Sequence, residues 1–419
     1  MKKSFRGEIS VAPDKSISHR GIMFGSIATG VTKIENFLMG EDCLSTIDCF
    51  RRLGVRIEQE KDRITVFGTG TLKQPDSSLY TGNSGTTTRL LCGLLAGYPI
   101  KTTLFGDDSL NKRPMKRVIE PLSLMGADIQ AKDGNFCPLE IDGKERLQAI
   151  SYTLPVASAQ LKSALILAGL HGDGTTLLTE KECSRNHTEV MLRYMGADIV
   201  TKEKEIYVNP VERLSPLELK VPGDISSAAF FIVGALVTKG SQLVIKNVGV
   251  NPTRTGLLTV LRQMGGNIKE ENKRIVSGEE VCDLVVSSSQ LHGVTVEGDI
   301  IPSLIDEIPI LAVAACHAEG KTMIKDAGEL RVKETDRIFA ICEMLKTAGV
   351  EYEEEKDGFS VVGTEHIKGG CYESFKDHRM AMSAAILSCL SEEEFIIKDS
   401  ECVNISFPEF WELMEKVTK

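Results

Sequence analysis

Residues 124–129 read LMGADI and residues 194–199 read YMGADI. Each ends an amphipathic stretch and opens a strand-like run. The same punctuation occurs at RRLGVRI around Gly54, QMGGNI around Gly265 and KTAGVEY around Gly349, at intervals of 72, 70, 69 and 84 residues. A helix that ends and turns back needs a left-handed residue just past its last turn, and glycine adopts that conformation without steric cost. The run beyond each glycine, such as ADIVTKEKEIYV, alternates in hydropathy and reads as a hairpin.

A second element recurs in step with the first. Helices rich in small residues begin near Lys15, Gly85, Ser158, Asp224, Asp306 and Asp377, and each leads into a β-rich run such as VTKIENF, KTTLFGD or GTTLLTE. The repeat is therefore helix, strand, helix, strand, strand, six times over. The sixth copy is short, and the strand within KKSFRGEIS is expected to complete it. A repeat of about 70 residues is long for a stacked solenoid, and no capping copies are visible. Two domains of three copies each fit better. The crossovers fall near Pro13 and Pro222, giving residues 13–222 as one domain and residues 1–12 with 223–419 as the other. Helices such as ASAQLKSALILAGL and IPILAVAACHA are apolar nearly all round and belong inside each domain.

Composition narrows the function. The net charge of -10 argues against nucleic acid as the main partner. The 11 cysteines contain no Cys-x-x-Cys pair and no zinc-ligand spacing, so a reducing compartment and no metal are expected. No apolar run follows the first lysines as in a signal peptide, and the run near Ala228–Val237 falls short of the ~20 residues that span a bilayer. The expectation is a soluble, cytoplasmic protein, monomeric because no coiled-coil or long exposed apolar stripe is visible.

Polar residues gather at the helix starts. PDKSISHR brings Lys15, Ser16 and Arg20. GNSGTTTR brings Asn83, Ser84, Gly85 and Thr86, and Ser158 with Gln160 opens the third inner helix. Asp306 and then Asp377, His378 and Arg379 open later ones, and the intermediate helices open with Arg113, Arg185, Lys333 and Arg337. A serine or aspartate at such a place is commonly only a cap, and RVKETDR by itself reads as a solvated helix face. Recurrence in phase with the repeat gives the residues a shared meaning. Free backbone N–H groups flanked by Lys and Arg suit small molecules carrying phosphate and carboxylate. GNSGTTTR lacks the Gly-x-x-x-x-Gly-Lys-[Ser/Thr] spacing of a nucleotide loop.

At these residues the chain resembles the family of 5-enolpyruvylshikimate-3-phosphate (EPSP) synthases. In order it carries DKSISHR, GNSGTTTR, KRPM, SAQLKSAL, SRNHTE, GDISSA, DEIP, RVKETDR, DHRMAM and SFPEF. The resemblance implies an α/β protein of two domains, each three βαβαββ units with buried parallel helices, an inside-out α/β barrel closing on its substrates. It implies a transferase that moves the enolpyruvyl group of phosphoenolpyruvate to the 5-hydroxyl of shikimate 3-phosphate, without a cofactor. Shikimate 3-phosphate would be held by Lys15, Ser16, Arg20, Ser158, Ala159, Gln160, Arg185, Asp306 and Lys333. Phosphoenolpyruvate would be held by Lys15, Asn83, Gly85, Arg113, Gln160, Arg337 and Arg379. Asp306 and Glu334 would move protons, with Lys15 stabilising charge. Lys162, Arg185, Glu329 and Leu90 resemble the branch called class II, and glyphosate is the inhibitor the family implies. Ile405 stands where another branch carries a lysine. Two alternatives stay open: the sister transferase acting on UDP-N-acetylglucosamine, whose reactive cysteine is missing from GDDSLNKRP, and a non-catalytic anion-binding protein on the same scaffold.

Overall fold

The computed structural model describes residues 4–418, and its chain divides into two units, Pro13–Val221 and the segments up to Ala12 and from Pro222 onward. Residues 1–3 and 419, which the sequence reading assigns to the second domain, lie outside the described residues.

In Pro13–Val221 the helices run α1 (Lys15–Ile27), α2 (Glu41–Arg52), α3 (Gly85–Ala96), α4 (Lys116–Leu124), α5 (Ala159–Gly169) and α6 (His187–Tyr194). Each odd-numbered helix is started by a side chain that takes an orphan backbone N–H. Asp14 accepts from Ile17, Ser84 from Thr87 and Ser158 from Leu161. These helices are buried on almost every face, and α3 and α5 approach so closely that a Cβ on Gly93 would lie 2.0 Å from the Ala164 carbonyl oxygen. Glycine is the residue that permits this approach. The even-numbered helices are amphipathic, as α2 shows by burying Cys43, Ile47 and Phe50 three or four residues apart. They end at Gly54, Gly126 and Gly196, with φ of +84°, +85° and +94°. The left-handed residue read from the repeat is present in each.

Three four-stranded sheets complete this unit. In the middle one, Lys101–Phe105 pairs in parallel with Leu79–Tyr80 and antiparallel with Phe136–Asp142, which turns back on Asp128–Lys132. The first sheet follows the same plan, but its parallel strand is Glu218–Lys220, from the far end of the unit.

The second unit holds α7 (Ile225–Val237), α8 (Gly256–Gln263), α9 (Ile308–Cys316), α10 (Arg337–Thr347), α11 (His378–Ser388) and α12 (Phe410–Val417). All residues of α7 and α9 are buried, and Phe231 meets Phe407 and Phe410 at ring separations of 6.0 and 5.7 Å. Arg6–Ser10 completes the fourth copy, not the sixth, because it pairs in parallel with Gln242–Gly249, Arg6 opposite Gln242 and Ser10 opposite Lys246. Phe5 N–H donates to Ser241 Oγ at 2.8 Å and anchors that register. The sixth copy keeps a two-stranded sheet, Gly370–Glu373 with Phe395–Lys398. The strands preceding α1 and α7 have thus changed places, each serving the other unit.

Candidate active site

Within Pro13–Val221 the starts of α1, α3 and α5 carry the polar groups. Lys15, the first residue of α1, reaches Asp42 Oδ2 at 3.1 Å. One turn on, the buried Arg20 guanidinium donates to Thr188 Oγ1 and Ser163 Oγ, both at 2.8 Å, and to the Ser16 carbonyl at 3.0 Å. These bonds fix the planar guanidinium from three sides. His19, wholly buried, bonds Thr46 Oγ1 at 2.7 Å. Thr46 bonds Thr87 at the same distance, and Thr87 donates to Ser84 Oγ at 2.7 Å. This chain of hydroxyls locks α1, α2 and α3 together. Burial first, then the charges of Lys15 and Arg20, hold His19 well below the ordinary histidine pKa.

Around the start of α3, Arg113 donates to Asn83 Oδ1, and Asn83 Nδ2 donates to Asp107 Oδ2 at 2.6 Å. Gln160 Oε1 accepts from Arg89 at 2.7 Å, while its amide nitrogen donates to Thr86 Oγ1 at 3.0 Å. Gly85 lies under both arginines: a Cβ there would stand 2.7 Å from Arg89 Nη1 and 3.4 Å from Arg113 Nη1. Arg89 also donates to the carbonyl of Pro114, next to Arg113, at 3.2 Å, and so places Gln160 near the Asn83–Arg113 pair around Gly85.

The second unit has a denser ionic frame. Asp306 lies in the 3-10 turn Ile305–Glu307 just ahead of α9. Its Oδ1 is 3.1 Å from Lys333 Nζ and 3.3 Å from Arg337 Nη1. Arg337 also pairs with Glu334 at 2.7 Å and with Asp377 at 2.8 Å. Burial works against its charge, but Asp377, Glu334 and Asp306 outweigh that and raise its pKa above the ordinary arginine value. Arg379 Nη1 donates to the Asp306 carbonyl at 3.0 Å and lies 3.4 Å from Glu307 Oε1. Glu307 also accepts from Ser226 Oγ, which in turn accepts from Arg254 at 2.7 Å.

Asp306, Lys333, Glu334, Arg337 and Arg379 are brought together in this way, and Ser16 is tied to Arg20. Ser158 and Ala159 open α5, where the Ser158 hydroxyl also caps Leu161. Three of the cations stand ahead of a helix rather than on it, contrary to the sequence reading. Arg113 follows the turn Leu110–Lys112, Arg185 precedes α6, and Lys333 follows the turn Gly328–Val332. Each intermediate helix starts two or more residues later; ahead of α4, Pro114 keeps Arg113 in extended backbone, with ψ of 137°. Sequence reasoning passes over Arg89, Asp107, Arg254 and Glu307, which hold the named residues in place. Arg89 closes the GNSGTTTR motif, and that position is its one available signal. Among the described residues, no cluster of His, Cys, Asp and Glu is arranged to hold a metal ion, and no helix is long and apolar enough to cross a membrane.

Repeated βαβαββ copies with buried helices, divided between two units, place the chain in the class with the enolpyruvyl transferase fold. The enolpyruvyl transferase NikO from Streptomyces tendae shares that fold at a TM-score of 0.79 and 15% identity, covering 99% of this chain and 96% of that one. The family EPSP synthase (3-phosphoshikimate 1-carboxyvinyltransferase) matches residues 1–414, and the chain belongs to it. The EPSP synthase structure from Acinetobacter baumannii matches at a TM-score of 0.90 and 44% identity, covering 100% of this chain and 97% of that one. The 3-phosphoshikimate 1-carboxyvinyltransferases of Oceanobacillus iheyensis and Syntrophomonas wolfei are 50% and 51% identical to it, each over 99% of this chain and 97% and 98% of their own lengths. The chain is accordingly an enzyme, a transferase of the shikimate pathway, and both alternatives left open by the sequence are set aside.

Proposed function

We propose that this enzyme transfers the 1-carboxyvinyl group of phosphoenolpyruvate to the 5-hydroxyl of shikimate 3-phosphate through the residues described above. Lys15, Ser16, Arg20, Ser158, Ala159, Gln160, Arg185, Asp306 and Lys333 hold shikimate 3-phosphate. Lys15, Asn83, Gly85, Arg113, Gln160, Arg337 and Arg379 hold phosphoenolpyruvate. The hydroxyl oxygen adds to C2 of phosphoenolpyruvate as C3 takes a proton. The C2–O bond to phosphate then breaks as C3 gives a proton back.

One observation carries the chemical roles. The Asp306 carboxylate stands between Lys333 and Arg337, and Glu334 is bound to the same Arg337. Two carboxylates on one fixed guanidinium give a base for the hydroxyl and a second group for the C3 proton. Lys15 and the arginines supply pre-aimed positive charge for the carboxylate and the departing phosphate. No cofactor enters these steps. Glyphosate is proposed as an inhibitor competing with phosphoenolpyruvate, and the working form as a cytoplasmic monomer.

A phosphate-release assay with phosphoenolpyruvate and either acceptor tests the reading. Release with shikimate 3-phosphate and none with UDP-N-acetylglucosamine is expected. The reverse pattern overturns it.

A further inference from the structure

Helix α5 is apolar almost all round, yet it carries a lysine on its buried surface. Lys162 is 1% exposed, between Leu161 and Ser163, both shut off from solvent. An ammonium group is costly to bury unless its hydrogens and charge are fully met. Here they are: Nζ lies 3.0 Å from Glu180 Oε2 and 2.8 Å from Glu189 Oε1, and it donates to the Ser184 carbonyl at 3.1 Å. The other oxygen of Glu180 accepts the Ser184 backbone N–H at 3.0 Å and its hydroxyl at 2.5 Å.

All three partners fall between residues 180 and 189, the stretch linking strand Thr176–Thr179 to α6. Glu180 opens that stretch, Ser184 lies in its middle and Glu189 sits in the first turn of α6. Lys162 therefore clamps the segment at both ends and at the centre. Arg185 follows directly on the clamped Ser184. Thr188, beside Glu189, holds the Arg20 guanidinium. An apolar residue at 162 would suit the packing of α5, but it would leave two buried carboxylates without their counter-charge and the Ser184 carbonyl without this donor, and the segment would have to move to hydrate them.

We infer that Lys162 is a positioning residue for shikimate 3-phosphate binding, acting through Glu180 and Ser184 to fix the place of Arg185. The inference rests on the assignment of Arg185 as a contact to that substrate. Lys162, inside the core, touches no substrate itself. A displacement of about 1 Å in a charged contact costs up to ~100-fold in a rate or affinity governed by it.

The test is a double-mutant cycle on the full-length enzyme, using Lys162→Met, Glu180→Gln and Arg185→Ala. Glu180→Gln keeps the volume and leaves one ammonium facing one carboxylate, so it carries the experiment if Lys162→Met does not fold. Each single variant is expected to raise KM for shikimate 3-phosphate about tenfold or more, with KM for phosphoenolpyruvate changed by less than about threefold. Arg185→Ala combined with Glu180→Gln is expected to show the KM of Arg185→Ala alone. Multiplying effects in the double variant overturn the inference, as does an unchanged KM in Glu180→Gln. A merely structural role would lower the active fraction and hence kcat while leaving KM in place, which also counts against it. If Arg185→Ala by itself leaves KM unaltered, the substrate assignment of Arg185 has failed, a result visible without touching the clamp.

Discussion

Arg337 and Asp377, both closed off from solvent, are joined by a 2.8 Å hydrogen bond from Nε to Oδ2. Asp377 also caps α11 by accepting the Arg379 backbone N–H at 2.9 Å, so the pair ties the start of α10 to the start of α11. Removing one member of a buried pair strands the other, at a cost of about 3–5 kcal/mol. Arg337→Met is expected to lose stability on that scale in urea unfolding. Arg337→Lys should recover only part of it, because an ammonium lacks the fork that meets Asp377, Glu334 and Asp306 together. A loss below about 1 kcal/mol in Arg337→Met would show that the pair is not a stabilising contact.

Asp306→Asn removes the proposed base and keeps the shape. Loss of general-base assistance costs typically about 10²–10⁴ in kcat. The expected outcome is that fall in phosphate release, with the calorimetric dissociation constant for shikimate 3-phosphate within several-fold of the parent. Near-normal turnover would take Asp306 out of the chemistry.

Gly85→Ala puts a methyl group 2.7 Å from the end of Arg89 and 3.4 Å from Arg113. The Arg89 terminus must give way and takes the Gln160 amide with it, while Arg113 is left at an ordinary contact distance. KM for phosphoenolpyruvate is expected to rise, and the glyphosate inhibition constant to rise further. Equal inhibition of parent and variant would refute the steric account.

At Gly126 the cost is backbone alone, since φ is +85° and a Cβ would meet nothing within 4 Å. Gly126→Ala should lose about 1–2 kcal/mol, and Gly126→Asn less, because asparagine enters the left-handed region more readily. Thermal unfolding of the two variants gives the order. Equal melting points would remove the conformational explanation.

His19 makes a prediction about acidity. Its folded pKa is held well below 6.5, mainly by burial and then by Lys15 and Arg20. Below pH 6.5 the unfolded chain therefore binds a proton that the folded chain refuses. Stability must rise with pH through that window and fall on acidification, by up to about 1.4 kcal/mol per pH unit for one such group. His19→Asn should flatten the urea-derived stability between pH 6.5 and 5, leaving a residual slope to which His171, also lowered by burial, contributes. An unaltered slope would contradict the buried neutral imidazole.

The repeat is readable because glycine is nearly obligatory where a helix end turns left-handed, and Gly54, Gly126, Gly196, Gly265 and Gly349 all have positive φ. The capping residues are readable for a similar local reason: Asp14, Ser84, Ser158 and Asp377 each satisfy an N–H within three residues. The features that escape are non-local. Nothing in the five residues Arg6–Ser10 states which of several similar sheets they join. Glu180, Glu189 and Glu307 look like solvated carboxylates in a sequence, and only the fold turns them inward against Lys162 and Arg379. Arg113, Arg185 and Lys333 read as helix-opening residues because a short 3-10 or irregular turn carries no periodicity by which to recognise it.

The partner of Arg6–Ser10 has a bearing on how the chain is made. Phe5 and its anchor Ser241 are 236 positions apart. At a ribosomal pace of about 5–20 residues per second, this early strand waits roughly ten to fifty seconds for the edge it will join. Meanwhile all of Pro13–Val221 has been synthesised and has within itself every strand it needs. Biogenesis is thus out of order: Pro13–Val221 can mature first, while Arg6–Ser10 stays unmatched until Gln242–Gly249 has been made.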